Sequence, residues 1–265
     1  MTLLGGLGGA LLLIAQPLPA HGDVPAEVAA PFQFSPPVDR PMTYRVTTRR
    51  IGRDGSLINF SLVYALQWQR IGRGYQLRSV LQRIDSDAPP AVARALTLML
   101  QPLVGEELAY LVAPDGSRID MVDPDGLWER ATARIEAAGA AGDRAEARQL
   151  AQLIAALPPS DRDQLATADA RALVAAANNA IAAAAATDGA SVSMLHSGTL
   201  RTVAKVDTES TTSDGAPTLQ IDHLWTVDTA TGLVMQERRQ SWIVDAQSGG
   251  RTLVEERVRV IEPAL

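Results

Sequence analysis

The sequence predicts an α+β domain in which an antiparallel sheet carries its helices on one face. Three observations lead there. Residues 42–85 and 197–262 alternate apolar and polar side chains with period two, whereas residues 90–186 hold helices, with apolar positions at helical spacing, and one hairpin. Glycine-bearing turn signals join the alternating runs, so strands adjacent in sequence return antiparallel. Finally, the helices come as one block between two strand blocks, which groups them on one side of the sheet instead of interleaving them as crossovers.

The first 20 residues read as a secretory signal peptide. Leu3 to Ala20 carries no charge, and the run Ala10-Leu11-Leu12-Leu13-Ile14-Ala15 is followed by Pro17, Pro19 and the small Ala20. A spanning helix needs about 20 apolar residues, so no permanent membrane span is expected after cleavage. Residues 21–41 hold Pro25, Pro31, Pro36, Pro37 and Pro41 and read as an extended lead-in. A single α+β domain is expected over 42–265.

Met42 to Arg49 alternates, and Arg53-Asp54-Gly55 is a hairpin signal. The next run is the clearest in the chain. Ile58, Phe60, Leu62, Tyr64, Leu66 and Trp68 occupy its even positions, so all six point to one face of a strand. After Gly72-Arg73-Gly74, Tyr75 to Ile84 alternates less cleanly as a third strand. Pro89-Pro90 opens a helix over 91–101. A hairpin is expected over 108–122 around Pro114-Asp115-Gly116.

Asp123-Pro124 then starts a helix, with Asp as N-cap and Pro in the first turn. The Gly-Ala stretch 137–142 is expected to end it, and a second helix to fill 143–157. Ser160-Asp161-Arg162-Asp163 reads as the cap of a short third helix. The Ala-rich 168–186, broken by Asn178-Asn179, is weakly helical in isolation, and the segment 168–190, with few bulky side chains to anchor it, reads as a mobile lid. Strands resume after Ser191 and are placed at 197–210, 217–228, 232–245 and 251–262.

Composition excludes several functions. With no cysteine there is no disulfide, no thiolate metal site, no catalytic thiol and no lipid-modified N-terminal Cys. The net charge of −6 recommends no nucleic-acid partner. Charge is unevenly placed, since residues 40–105 hold 10 Arg against 3 acids while 106–188 hold 7 Arg against 14 acids. Either the two surfaces attract each other across the fold, or the Arg-rich face meets anionic lipid or an acidic envelope protein.

No nucleophile elbow, phosphate-binding glycine loop or zinc-protease motif occurs. Asp120, Asp123 and Asp125 fall short of a complete calcium loop and fit a turn and a helix cap. His196 and His223 are too few for a zinc site on their own. Glu106-Glu107 and Glu255-Glu256 are adjacent on strands, so each pair splits between two faces. The reading is therefore non-enzymatic, with no metal and no cofactor. A hydrolase with carboxylates drawn from different strands is the weakest alternative.

The aromatic and aliphatic row is the candidate site. Phe60, Leu62, Tyr64, Leu66 and Trp68, joined by His223 and Trp225 on the alternation Leu219, Ile221, His223, Trp225, Val227, either form the core or line a cavity between sheet and helices.

The order of these elements resembles the bacterial lipoprotein-carrier (LolA-like) and LppX-type envelope proteins. The features that match are the signal peptide, the strand run 42–84, the central helices and the closing strands. The hairpin Trp225-Thr-Val-Asp228-Thr-Ala-Thr-Gly232-Leu-Val-Met-Gln-Glu237 is similar to their strand, Asp…Thr-Gly turn and returning strand. The chain also resembles uncharacterised secreted proteins of sphingomonad-type bacteria. The resemblance implies a strongly curved sheet forming an incomplete barrel, with the helical block on its concave face around an apolar cavity. The function it implies is a periplasmic or secreted protein that binds an apolar ligand, a lipid or acyl chain, between sheet and helices. The alternative is a structural or interaction protein of the envelope with no small-molecule ligand.

Overall fold

Residues 33–263 are described by a computed structural model, apart from 53, 54, 56, 89, 91, 92, 94–99, 142, 143, 186–190, 210–217 and 246. The expected signal peptide, most of the lead-in and most of the helix expected over 91–101 lie outside the described residues.

Ten strands among the described residues form one unclosed antiparallel sheet. They are β1 (Pro41–Ile51), β2 (Leu57–Ile71), β3 (Gly74–Ser86), β4 (Glu107–Val112), β5 (Ile119–Met121), β6 (Ser191–Ser197), β7 (Leu200–Glu209), β8 (Thr218–Asp228), β9 (Leu233–Val244) and β10 (Arg251–Pro263). Their order is β5-β4-β3-β2-β1-β10-β9-β8-β7-β6. Two meanders thus meet at one seam, where the first strand pairs with the last. The strand expected at 197–210 is β7, and it is preceded by a strand that the sequence reading did not place, β6, the two turning at Gly198, whose φ of 60° is left-handed.

Burial follows the alternation in β1, where Met42, Tyr44, Val46 and Thr48 are buried. Directly opposite on β2 stand Leu66, Tyr64, Leu62 and Phe60. The even face of β2 therefore turns the same way as the buried face of β1. β3 continues it, but Gln82 is an extra residue that shifts the register between Val63 and Tyr64. That bulge is why the third run alternated imperfectly. Past it Leu81, Ser79, Leu77 and Tyr75 share the buried face. Val63 is buried on the opposite face. It lies in register between Arg45 and Arg83, which both reach Asp85 and cover it with their apolar stems.

Four helices are described, α1 (Pro124–Ala141), α2 (Arg144–Ala156), α3 (Pro159–Leu173) and α4 (Ala180–Ala185), with a 3-10 turn at Gln101–Leu103. Asp123 starts α1 as expected, its Oδ1 accepting from the Gly126 N–H at 3.2 Å. A Cβ on Gly126 would crowd that carboxylate, so a larger residue there would make the Asp123 side chain shift. α1 passes through the Gly-Ala stretch instead of ending at 137. Ser160 caps nothing, because Pro158 holds the N-cap position of α3 and Pro159 opens the helix. α3 is also long, at 15 residues.

The main cluster joins Met42, Tyr44, Val46, Leu66, Trp68, Leu77, Tyr110, Val112 and Ile261 of the sheet to Ala170 and Leu173 of α3. Phe34, from the lead-in, enters it edge-on against Trp68 and Tyr75 at 5.7 and 5.4 Å. The stretch expected as a loosely anchored lid is packed down through part of its described length, while Ala168, Arg171, Asn179, Ala180, Ala182 and Ala183 are exposed. Val174 belongs to the main cluster, and Ala175, Ala176 and Ile181 pack with Val203, Trp225, Val227 and Val234. Small side chains here permit close approach and do not mean weak attachment.

Candidate functional site

A cavity of about 130 Å³ is lined from both the sheet and the helices. The sheet supplies Tyr44 of β1, Tyr64 and Leu66 of β2, Leu77 and Ser79 of β3, and Leu108 and Tyr110 of β4. Opposite them stand Leu127 and Trp128 of α1 and Leu165, Ala166, Asp169, Ala170 and Leu173 of α3. The wall is mostly apolar, its polar groups being three phenols, the Ser79 hydroxyl, the Trp128 indole and the Asp169 carboxylate.

Register explains the phenols. Tyr44 lies directly opposite Tyr64, their ring centroids 6.1 Å apart. Tyr110 is opposite Leu77, and its hydroxyl donates to the Ala166 carbonyl at 2.8 Å. The Tyr44 hydroxyl is buried and has no hydrogen-bond partner. Burial first, then the Asp169 carboxylate, pushes the Tyr44, Tyr64 and Tyr110 hydroxyls far above their ordinary range. All three are neutral at any physiological pH.

Asp169 is placed by a buried charge cluster. Arg259 of β10 donates through Nε to Asp169 Oδ1 at 3.0 Å and through a terminal nitrogen to Glu237 Oε2 of β9 at 2.8 Å. Its second terminal nitrogen also lies 2.9 Å from Asp169 Oδ1. Among the described residues nothing engages Asp169 Oδ2. Burial opposes the charge of Arg259, whereas the Asp169 and Glu237 carboxylates favour it.

The expected site residues separate into three places. Tyr64 and Leu66 line the cavity. Trp68 is fully buried in the main cluster, Leu62 packs against that cluster, and Phe60 is half-buried near the far end of β2. His223 and Trp225 lie on the other half of the sheet, stacked on each other at 4.9 Å. Burial, followed by the charge of Arg239, pulls the His223 pKa down from 6.5 to about 4. Its Nδ1 is buried without a partner.

Sequence reasoning missed Tyr44, Tyr110, Asp169, Glu237 and Arg259. Tyr44 carried a usable signal, since it sits in the alternation of 42–49. Arg259 carried a misleading one. In Arg257-Val258-Arg259-Val260-Ile261 the valines look like the inward positions, yet register with Val46 puts Arg259 on the cluster face.

Of the Arg-rich segment, Arg45 pairs with Glu262, Arg49 with Glu256, Arg50 with Glu255 and Arg78 with Glu107. Most of these acids come from β10, not from the acidic helices. Among the described residues no group of three or more His, Cys, Asp or Glu is placed to hold a metal. No described helix is long and apolar enough to cross a membrane. The chain matches no family model and no curated protein.

Proposed function

We propose that this chain is a non-enzymatic periplasmic protein that holds an apolar ligand carrying one small polar group in the cavity under Tyr44. In this reading the sheet curves around the helical block as an incomplete barrel, as in the lipoprotein-carrier proteins it resembles. The observation that carries it is the unpartnered Tyr44 hydroxyl in a mostly apolar wall. Leaving such a group unsatisfied costs about 1–3 kcal/mol, and a ligand hydroxyl or carbonyl would remove that cost. A ligand hydroxyl would also donate to the open Oδ2 of Asp169.

Size limits the ligand. An apolar cavity of about 150 Å³ takes a benzene ring, so this one holds a ring or the end of an acyl chain. A longer chain requires α1 or α3 to shift outward. The carboxylates speak for binding over hydrolysis, because Asp169 and Glu237 are both held by Arg259 instead of facing a shared substrate atom. The envelope-interaction reading has less behind it, since the arginines of β1–β3 named above are paired with carboxylates.

Denaturing mass spectrometry of organic extracts, with titration of an apolar dye and of dodecanoic acid, tests the proposal. A co-purified lipid or saturable dye binding is expected. Ala166→Leu, which fills the cavity from α3, should weaken dye binding by about ten-fold or more. No lipid together with no saturable binding overturns the reading.

A further inference from the structure

The β7–β10 half carries a line of basic side chains that the cavity does not use. Lys205 is directly opposite His223, His223 opposite Arg239, and Arg239 opposite Arg257. All four share the face of Val203, Trp225, Glu237 and Arg259, because residues two apart on a strand point the same way. At roughly 4.8 Å per strand the line spans about 14 Å. Basic groups set side by side repel one another, so this row needs negative charge.

The described residues supply only part of it. Asp207 Oδ2 lies 2.7 Å from Lys205 Nζ. Glu255 is shared loosely, 4.0 Å from Arg239 and 3.8 Å from Arg50. Arg257 has no carboxylate partner among the described residues, and its Nε is buried without a hydrogen-bond acceptor. The Nδ1 of the neighbouring His223 is likewise buried and open. The row also contains Lys205, the only lysine of the chain beside 23 arginines, and it is just 5 % exposed.

A guanidinium cannot shed its charge to escape burial, whereas its planar fork fits an oxyanion with two parallel hydrogen bonds. We infer that the row Lys205–His223–Arg239–Arg257 is an anion site that takes a phosphate group. Arg239 and Arg257 form the fork, His223 hydrogen-bonds beside them, and Lys205 adds charge at the end. None of the four lines the cavity, so this inference and the apolar-ligand reading fail separately.

The test is calorimetric titration and thermal unfolding of the chain with inorganic phosphate and with dihexanoyl phosphatidic acid, against chloride at equal ionic strength. Phosphate-specific binding with a rise in Tm is expected. Saturation by inorganic phosphate assigns a soluble phosphoester, and saturation by the lipid alone assigns a phospholipid headgroup. Arg239→Gln/Arg257→Gln should weaken either by about ten-fold or more, while Arg257→Lys recovers part of it. Arg73→Gln, on the β2–β3 turn, serves as the surface control and should change nothing. If neither ligand exceeds chloride, or if binding persists unchanged in a double variant with a native circular dichroism spectrum, the inference is overturned. Should the double variant not fold, Arg257→Gln alone decides by the same readout.

Discussion

The two halves of the sheet put opposite chemistries on one face. On β1–β4 that face is Tyr44, Leu66, Trp68, Leu77 and Tyr110, held together mainly by apolar burial. On β7–β10 it includes Lys205, His223, Arg239, Glu237 and Arg259, where Lys205 pairs with Asp207 and Arg259 with Glu237 and Asp169. Apolar side chains are interchangeable in their attraction, so the first half tolerates imperfect register, including the Gln82 bulge. Charged ones are not. Arg259 is stable there because β9 and α3 bring Glu237 and Asp169 to it together.

The comparison can be broken by substitution. Trp68→Ala should cost about 3–5 kcal/mol, measured by urea unfolding, because a fully buried indole leaves a void that its rigid neighbours fill poorly. If its loss in stability is small, the apolar half is not a packed core. Glu237→Ala leaves Arg259 buried with half its compensation and should cost about 3 kcal/mol. A cost below about 1 kcal/mol would mean that the charged half is solvated like a surface.

Tyr44→Phe should run the other way. Removing an unpartnered buried hydroxyl should leave stability unchanged or raise it by about 1 kcal/mol, while weakening a ligand that bonds to it. Loss of stability on this change would mean that the hydroxyl has a partner after all. The remaining expected effect is a slope. His223 stays neutral in the folded chain down to about pH 4, whereas the unfolded chain takes up its proton near 6.5. Stability therefore falls as pH drops through that window and levels off below it. His223→Gln should flatten the part between pH 7 and 5, read from urea midpoints at both values.

The same contrast decided what could be read from sequence. The even face of β2 was legible because six bulky side chains repeat without exception. The hairpins were legible from their turns. The seam between β1 and β10 was not, since nothing local marks two strands some 200 residues apart as partners. Of the cavity wall, the expected site residues supplied only Tyr64 and Leu66. Asp169 and Arg259 stayed hidden because an inward charge on a strand or helix resembles an outward one until its partner is placed. In the lid expected at 168–190, the weak anchoring was misread between Ala170 and Ile181 for a related reason. Alanines count as weak anchors in sequence but pack closely against Trp225 and Val203 once the backbone approaches.

The seam has a consequence in time. Arg45 faces Val260 across it, so the centre of the sheet cannot form before the last strand exists. At about 5–20 residues per second, the stretch from β1 to β10 takes roughly 10–40 s to synthesise. Through that interval β1 presents an unpaired edge on a growing chain. Arg45, Arg49 and Arg50 stand along that edge, and charged residues on an open strand discourage pairing with other chains. The residues that later anchor Glu262, Glu256 and Glu255 thus guard the strand while it waits for them.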